Sequence, residues 1–529
     1  MPMKWWGWGE EGRSFSLADP ERFWSFVSER LGGSGVSQRL ESAEQIVLRP
    51  CRLGADDLAA LRRAVGDRQV SVDRVERAVH SLGKGYRDLV RMRRGEIAEP
   101  TDAVAYPRTE EEVAAVLEVA AERGIAVIPF GGGTSVVGGV EPAAGGPAIA
   151  LDLGRMDRVL YVDRVAGTAT VEAGILGPSL ERQLNAAGFT LGHFPQSFEY
   201  SSLGGWIATR SAGQNSTLYG KIEERVESVR MLFPGGAITT NAVPAAAAGP
   251  DFNQIIAGSE GVLGVITRAT VRVAPLPERT DYRGYLIPSF EAGVEAAREM
   301  LQAGLRPAVL RLSDEPETEA TAIMSAGVEG MKASLFILGF DGAEDEVSCC
   351  WGRADRIVVG QGGRSLGPGP GEAWLRSRFE APYLRDLLLD HAIMVDTLET
   401  AATWDRYLTL YGAVQKAMLD AMDGRGVVMA HLSHAYADGA SVYYTFLARQ
   451  EEGHELEQWQ AVKDAATQAI VDGGGALSHH HGIGVEHRRW MDDYLGGSGI
   501  QALRALKGAF DPRRIMNPGK LYEEETRHV

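Results

Sequence analysis

The sequence is short of several things, and each shortage narrows what the protein can do. Only three cysteines occur in 529 residues, two of them adjacent at Cys349-Cys350. They supply neither a disulfide framework nor a zinc-ligand spacing, so a reducing compartment is expected, with the cytoplasm as the location. No apolar run approaches the ~18 residues that a membrane-crossing helix needs. The opening residues show no signal-peptide core, and Arg527-His528-Val529 is no recognisable address. Positive charge is also scarce: 54 Lys and Arg stand against 71 Asp and Glu, a formal net charge of −17. Binding to nucleic acid by counterion release needs clustered cations, so no nucleic-acid partner is expected. The basic runs, Arg91 to Arg94 and Arg488-Arg489, read as local solvated faces.

Glycine, by contrast, is abundant, with 64 residues concentrated in loops. The apolar, β-branched run Ile125-Ala126-Val127-Ile128 reads as a buried strand. It delivers Pro129-Phe130-Gly131-Gly132-Gly133-Thr134-Ser135-Val136-Val137-Gly138-Gly139. Successive backbone N–H groups in such a loop form an anion nest, and phosphate is the expected anion. A dinucleotide-binding fingerprint does not fit, because its third glycine position falls on Val136 and no helix opens after Gly139. The alternative is a plain glycine-rich turn.

Three more small-residue loops follow: residues 193–209, which lead into a Gly204-Gly205 helix start, then 211–220 and 258–267. Four such loops within about 150 residues suggest an extended ligand touched by backbone at several points. Around them, residues 55–66 and 71–95 read as helices, with Gly83 and Gly85 weakening the second. Thr109 caps a helix running to Arg123, and Glu112 is expected to complete a capping box. The Lys4-Trp5-Trp6-Gly7-Trp8-Gly9 opening is expected to pack onto the body, because free aromatics would expose costly apolar surface. After Pro277, strand-like runs alternate with helical patterns at 289–304, 343–360, 407–422 and 451–472, an α+β arrangement. Residues 362–371 read as a surface loop. The expected division is an N-terminal helical region (1–99), a ligand-binding domain (100–280), a cap (281–475) and a closing segment (476–529).

Together the loops resemble the flavoproteins of the vanillyl-alcohol oxidase and p-cresol methylhydroxylase type. The likeness rests on the 131–135 loop, Gly258-Ser259-Glu260-Gly261-Val262-Leu263-Gly264-Val265-Ile266-Thr267, His481-Gly482-Ile483-Gly484, and the 511–520 run ending Asn517-Pro518-Gly519-Lys520. It implies an α+β fold, a two-subdomain FAD-binding domain with an α+β cap. It also implies FAD contacts from Pro129, Gly131, Gly132, Gly133, Thr134 and Ser135, and from Pro195, Ser197, Ser201, Ser202, Gly204, Gly205 and Thr209. Ser211, Gly213, Tyr219 and Gly220 belong to the same implied set, as do Glu260, Gly261, Gly264, Val265, Ile266 and Asn517. The 131–135 loop holds no histidine, so the FAD is expected to be non-covalent.

Within that group, the segments 203–210, 218–224, 436–443 and Ser478-His479-His480-His481 resemble the alkyldihydroxyacetonephosphate synthase family. The resemblance implies exchange of the acyl group of acyl-dihydroxyacetone phosphate for a fatty alcohol through a flavin N5 adduct, without net redox, in ether-lipid synthesis. It makes Tyr443 an acid/base tyrosine, His479, His480 and His481 the catalytic cluster, and Arg311 and Arg385 substrate-side arginines. A homodimer and peripheral membrane contact are further expectations. Gln214-Asn215-Ser216 is neutral where the family's loop is basic.

On chemistry alone, arginine suits phosphate because its fork pairs with two oxygens, but Arg311 and Arg385 could equally be structural ion-pair partners. Three adjacent histidines cannot easily converge on one ion, so an acid/base histidine is preferred and no metal is expected. Tyr443 and Thr445 share a strand face, where a tyrosine is often only core. His193 and Tyr219 are weaker cofactor-side candidates, and His80 and Tyr86 read as packing. The competing reading is an FAD-dependent D-2-hydroxyacid dehydrogenase or oxidase, whose sequences usually carry Gly-Glu-His-Gly where this chain has His479-His480-His481-Gly482.

Overall fold

Ala126–Phe130 forms the strand that the apolar run predicts. It pairs in parallel with Ala148–Asp152, which pairs in parallel with Ala103–Ala105, and Val70–Ser71 closes the edge. The connection between the parallel strands is the helix Glu110–Arg123. The Thr109 hydroxyl accepts from the Glu112 N–H at its start, and Gly124 ends it in the left-handed region. Glu112 does not close the expected capping box, because its carboxylate accepts from the Arg108 N–H instead (2.7 Å). The computed structural model describes residues 3–37, 39–325 and 332–523.

A second, five-stranded antiparallel sheet runs in the order Val159–Asp163, Thr168–Glu172, Val265–Arg272, Val226–Phe233, Gly236–Thr239. Both sheets share one core, which includes Val127, Ile149, Val171, Val229 and Val271. Leu477, Trp490, Met516 and Tyr522 come back from the end of the chain to join it. The third sheet has seven antiparallel strands in the order Arg364–Gly367, Arg279–Ile287, Ser334–Gly342, Val309–Ser313, Gly426–Ala435, Gly439–Arg449, Ile393–Thr403. Its own core gathers Tyr285, Phe336, Tyr444, Phe446 and Trp459, together with Tyr86, Leu89 and Val90 from early in the chain. Each such buried side chain contributes about 2–3 kcal/mol of apolar burial.

The structure corrects three expectations. Residues 71–95 are two helices, Arg74–Val79 and Tyr86–Arg94, because Gly83 and Gly85 press against the back of the 131–139 loop. Lys84 donates its N–H to the Ser135 carbonyl there (2.7 Å), and a Cβ on Gly83 would overlap the same oxygen. Within the basic run, Arg93 is buried rather than solvated, bonded to the Trp6 carbonyl and to Asp390. Residues 362–371 are not a plain loop. Arg364–Gly367 is an edge strand, and the helix Gly369–Ser377 starts directly after it.

Candidate functional site

A cavity of about 490 Å³, within the usual range for small-molecule sites, lies between the 131–139 loop and the face of the seven-stranded sheet. Residues 131–137 line it. Among the described residues, no carbonyl or side chain accepts from the backbone N–H groups of Gly131 to Val136. Six successive uncommitted donors at a cavity wall are the open groups that an anion nest of the kind expected from the sequence would use. The loop is clamped from both sides: 80–85 lies behind it, and 200–202 lies against Gly131 and Gly132. A Cβ on Gly132 would overlap the Tyr200 carbonyl oxygen, so only glycine fits there. Asn517 ties the assembly together, donating to the carbonyls of Gly139 (3.0 Å) and Glu260 (2.7 Å). Glu260, at φ 48°, accepts from the N–H groups of Ile483 (2.6 Å) and Gly484 (2.8 Å). Burial pushes its carboxyl up to about 7 despite those two donors and nearby Lys520.

The opposite wall carries the ionisable groups. Glu399, on Ile393–Thr403, collects the backbone N–H groups of His479 (2.6 Å), His480 (3.1 Å) and His481 (2.8 Å), and the Ser478 hydroxyl (2.8 Å). Burial pushes its carboxyl up, but the surrounding imidazoles and N–H donors outweigh this and hold it well below the usual range. Its two oxygens are therefore committed to shaping the histidine loop. Glu399, His480 and His481 could reach one ion between them, but with four donors already on the carboxylate we read the group as a loop anchor. Burial holds His434 and His480 well below the ordinary imidazole range and His479 at about 3, so these rings are neutral near pH 7. His479 bonds the Tyr436 hydroxyl through Nε2 (2.7 Å) and His480 through Nδ1 (3.0 Å).

Tyr443 stands between two histidine groups. Its ring stacks on His431 (5.0 Å) and His480 (6.0 Å) and meets His481 edge-on (5.5 Å). Burial pushes its hydroxyl up to about 12, against a hydrogen bond with Thr397 that lowers it. The two arginines differ. Arg311 pairs with Glu317 (3.0 Å) and donates to His431 Nε2 (2.9 Å), and His431 Nδ1 meets the same Glu317 oxygen (3.0 Å). Its charge is already compensated. Arg385, on the helix Ala381–Asp390, also lines the cavity, but its buried Nε has no partner among the described residues.

Of the residues singled out from sequence, Tyr443, His480, His481, Arg311 and Arg385 meet at this cavity, as do all the cofactor-side candidates except five. Val265 is buried in its strand, and Gly213 lies against the Phe194 backbone. Tyr219 and Gly220 line a separate cavity of about 480 Å³ beside Arg225 and Arg272. His479 sits behind the wall, and so does His193, whose ring packs on Trp206. Glu399, Glu317, His431, His434 and Trp8 were not anticipated. Most of their contacts reach far along the chain, although Glu317 also pairs with nearby Arg311 and Trp8 lies within the aromatic opening of the sequence.

A sequence model of the FAD binding domain matches residues 101–241, and one of the FAD linked oxidases, C-terminal domain, matches residues 276–521. The alkyldihydroxyacetonephosphate synthase of Trypanosoma brucei brucei is 36% identical over 87% of this chain and 79% of its own length. A solved alkyldihydroxyacetonephosphate synthase superposes with a TM-score of 0.86 at 30% identity, covering 98% of this chain and 99% of that one. The chain belongs to the alkyldihydroxyacetonephosphate synthase family. The family's fold extends further: p-cresol methylhydroxylase matches with a TM-score of 0.69 over 89% of this chain and 98% of its own, at 14% identity. The expected α+β architecture, with an FAD-binding fold of that type, is the one observed.

Proposed function

We propose that this protein is an FAD-dependent alkylglycerone-phosphate synthase. It exchanges the acyl group of acyl-dihydroxyacetone phosphate for a fatty alcohol in ether-lipid synthesis. The bond between C1 of the dihydroxyacetone and the acyl oxygen breaks, a bond from C1 to the alcohol oxygen forms, and the fatty acid leaves with the alcohol's proton. The observation that carries the reading is one cavity shared by six open backbone N–H groups, a tyrosine flanked by neutral histidines, and an arginine whose buried Nε has no partner among the described residues.

The residues fit FAD. The open N–H groups of Gly131 to Val136 suit its pyrophosphate, and Ser202, Gly205, Gly261, Ile266 and Asn517 complete that wall. None of residues 131–137 is a histidine, cysteine or tyrosine, in keeping with non-covalent binding. When bound, FAD supplies an electrophilic ring system for chemistry at C1 without net oxidation or reduction.

The protein's own groups handle protons and charge. At neutral pH the Tyr443 hydroxyl keeps its proton and donates a hydrogen bond to the departing acyl oxygen. His480 and His481 offer neutral Nε2 atoms, without a protein partner among the described residues, to take a proton from C1 or from the alcohol. Arg385 faces the ester phosphate. Leu384, Leu388, Val395 and Met429 form an apolar wall suited to the acyl and alkyl chains. In this reading, 100–280 is the FAD-binding domain, 281–475 the cap, and 476–529 the segment that closes the site over the N-terminal region 1–99.

No described helix is long and apolar enough to cross a membrane. A cytoplasmic homodimer touching the membrane surface completes the proposal. Leu375 supports that contact, exposed on the helix that brings Trp374 to the cavity wall. An anaerobic visible spectrum of the purified protein tests the reaction. Bleaching by acyl-dihydroxyacetone phosphate, with recovery on adding fatty alcohol, is the expected result. Bleaching by D-2-hydroxy acids would overturn it in favour of a dehydrogenase.

A further inference from the structure

Two buried side-chain donors on the cavity wall have no acceptor among the described residues. One is the Arg385 Nε–H. The other is the Trp8 indole N–H, on a side chain 3% exposed. Buried donors are almost always paired, so an orphan pair at a cavity calls for a ligand that brings the acceptor.

The two donors are held on one support. Trp8 donates its backbone N–H to Asp386 Oδ2 (2.8 Å), and Asp386 directly follows Arg385 on the helix Ala381–Asp390. Lys4 Nζ lies 3.7 Å from the same oxygen, Lys84 Nζ donates to the Lys4 carbonyl (3.0 Å), and Arg93 Nε donates to the Trp6 carbonyl (3.0 Å). The indole meets Tyr200 edge-to-face at 5.5 Å. The glycines on either side of Trp8 let the strap lie flat. A Cβ on Gly7 would overlap the Asp386 carboxylate, and one on Gly9, at φ 75°, would overlap the Tyr383 ring. The Gly7-Trp8-Gly9 sequence is thus shaped to lay the strap on this helix and turn the indole into the cavity.

We infer that Trp8 belongs to the substrate site. Its indole N–H and the Arg385 guanidinium together receive the phosphate of the dihydroxyacetone phosphate ester, and residues 4–9 hold the pair in place. The inference rests on the function proposed above. A phosphate offers more acceptor oxygens than one guanidinium edge can satisfy, and a neutral N–H complements the fork without adding charge. Lys4 and Lys84 beside Asp386 keep this corner receptive to an anion. FAD also carries phosphate. The strap's hydrogen bonds run to the helix Ala381–Asp390, Lys84 and Arg93, while the indole also meets Tyr200 beside the glycine loop, so the test reads FAD binding as well.

The test is Trp8→Phe, which keeps an aromatic ring but removes the donor together with part of the indole's volume. The holoprotein is titrated calorimetrically with acyl-dihydroxyacetone phosphate and with the same ester lacking phosphate. The variant is expected to bind the phosphate ester roughly tenfold more weakly. Its affinity for the phosphate-free ester and its FAD spectrum should match wild type, its melting temperature should fall only modestly for the lost ring volume, and KM should rise while kcat holds. Equal weakening toward both esters would reduce Trp8 to packing, and loss of FAD would assign the N–H to the cofactor; either overturns the inference. Undiminished binding of the phosphate ester, with normal turnover, overturns it while leaving the function intact. A wild-type holoprotein that binds no phosphate ester removes both.

Discussion

Glu399 and Tyr443 sit directly opposite each other on adjacent antiparallel strands. The carboxylate that gathers three successive histidine N–H groups is therefore also the cross-strand neighbour of the tyrosine those histidines surround. One sheet register sets the spacing of the whole proton-handling group. Glu399→Ala is expected to destabilise the protein by about 3 kcal/mol, because it frees four buried donors. Turnover should fall further than stability, and a urea melt run beside a steady-state assay separates the two.

Tyr443→Phe removes one hydroxyl and keeps the ring stacked on His431 and His480. Stability should change by less than about 1 kcal/mol, while kcat falls roughly 10²-fold or more. An unchanged kcat would make Tyr443 a packing residue.

The two arginines should separate cleanly. Arg385→Gln is expected to raise KM for the phosphate ester roughly tenfold or more with little change in melting temperature. Arg311→Gln leaves Glu317 buried beside His431 alone, so it should mainly destabilise, by about 3 kcal/mol. Paired thermal melts and KM values decide this.

Gly132→Ala should abolish FAD binding, because the new methyl group must displace either the loop or the Tyr200 carbonyl. Absorbance of the purified protein in the visible range reads this directly.

The raised Glu260 carboxyl has a signed consequence. The folded state holds its proton up to about pH 7, whereas the unfolded chain releases it near 4.5. Its contribution to stability is complete below the unfolded value and is lost as pH rises through 7, about 3 kcal/mol in all. Glu486, pushed up to about 7 by burial, acts in the same direction. Stability measured from pH 4.5 to 8 should therefore decline less steeply in Glu260→Gln than in wild type.

Much of this was legible before the structure. The 125–139 segment announces strand and nest because both depend on adjacent residues, and so does the Thr109 cap. The break at 80–85 was only hinted at by Gly83 and Gly85, since its cause is the 131–139 loop packed against it. Glu399 lies on a strand whose polar residues obscure its alternation, and its partners stand about eighty residues later. The difference between Arg311 and Arg385 lies in their partners: Arg311 is held by Glu317 and His431, whereas the Arg385 Nε has none among the described residues.

The clasp formed by Asn517 also has a consequence in time. Gly139 leaves the ribosome 378 residues ahead of the amide that will grip its carbonyl. At ordinary elongation rates of 5–20 residues per second, that interval is roughly 20 to 80 s. The nascent glycine loop spends that interval without this clasp, held only by the 80–85 and 200–202 segments that clamp it from either side.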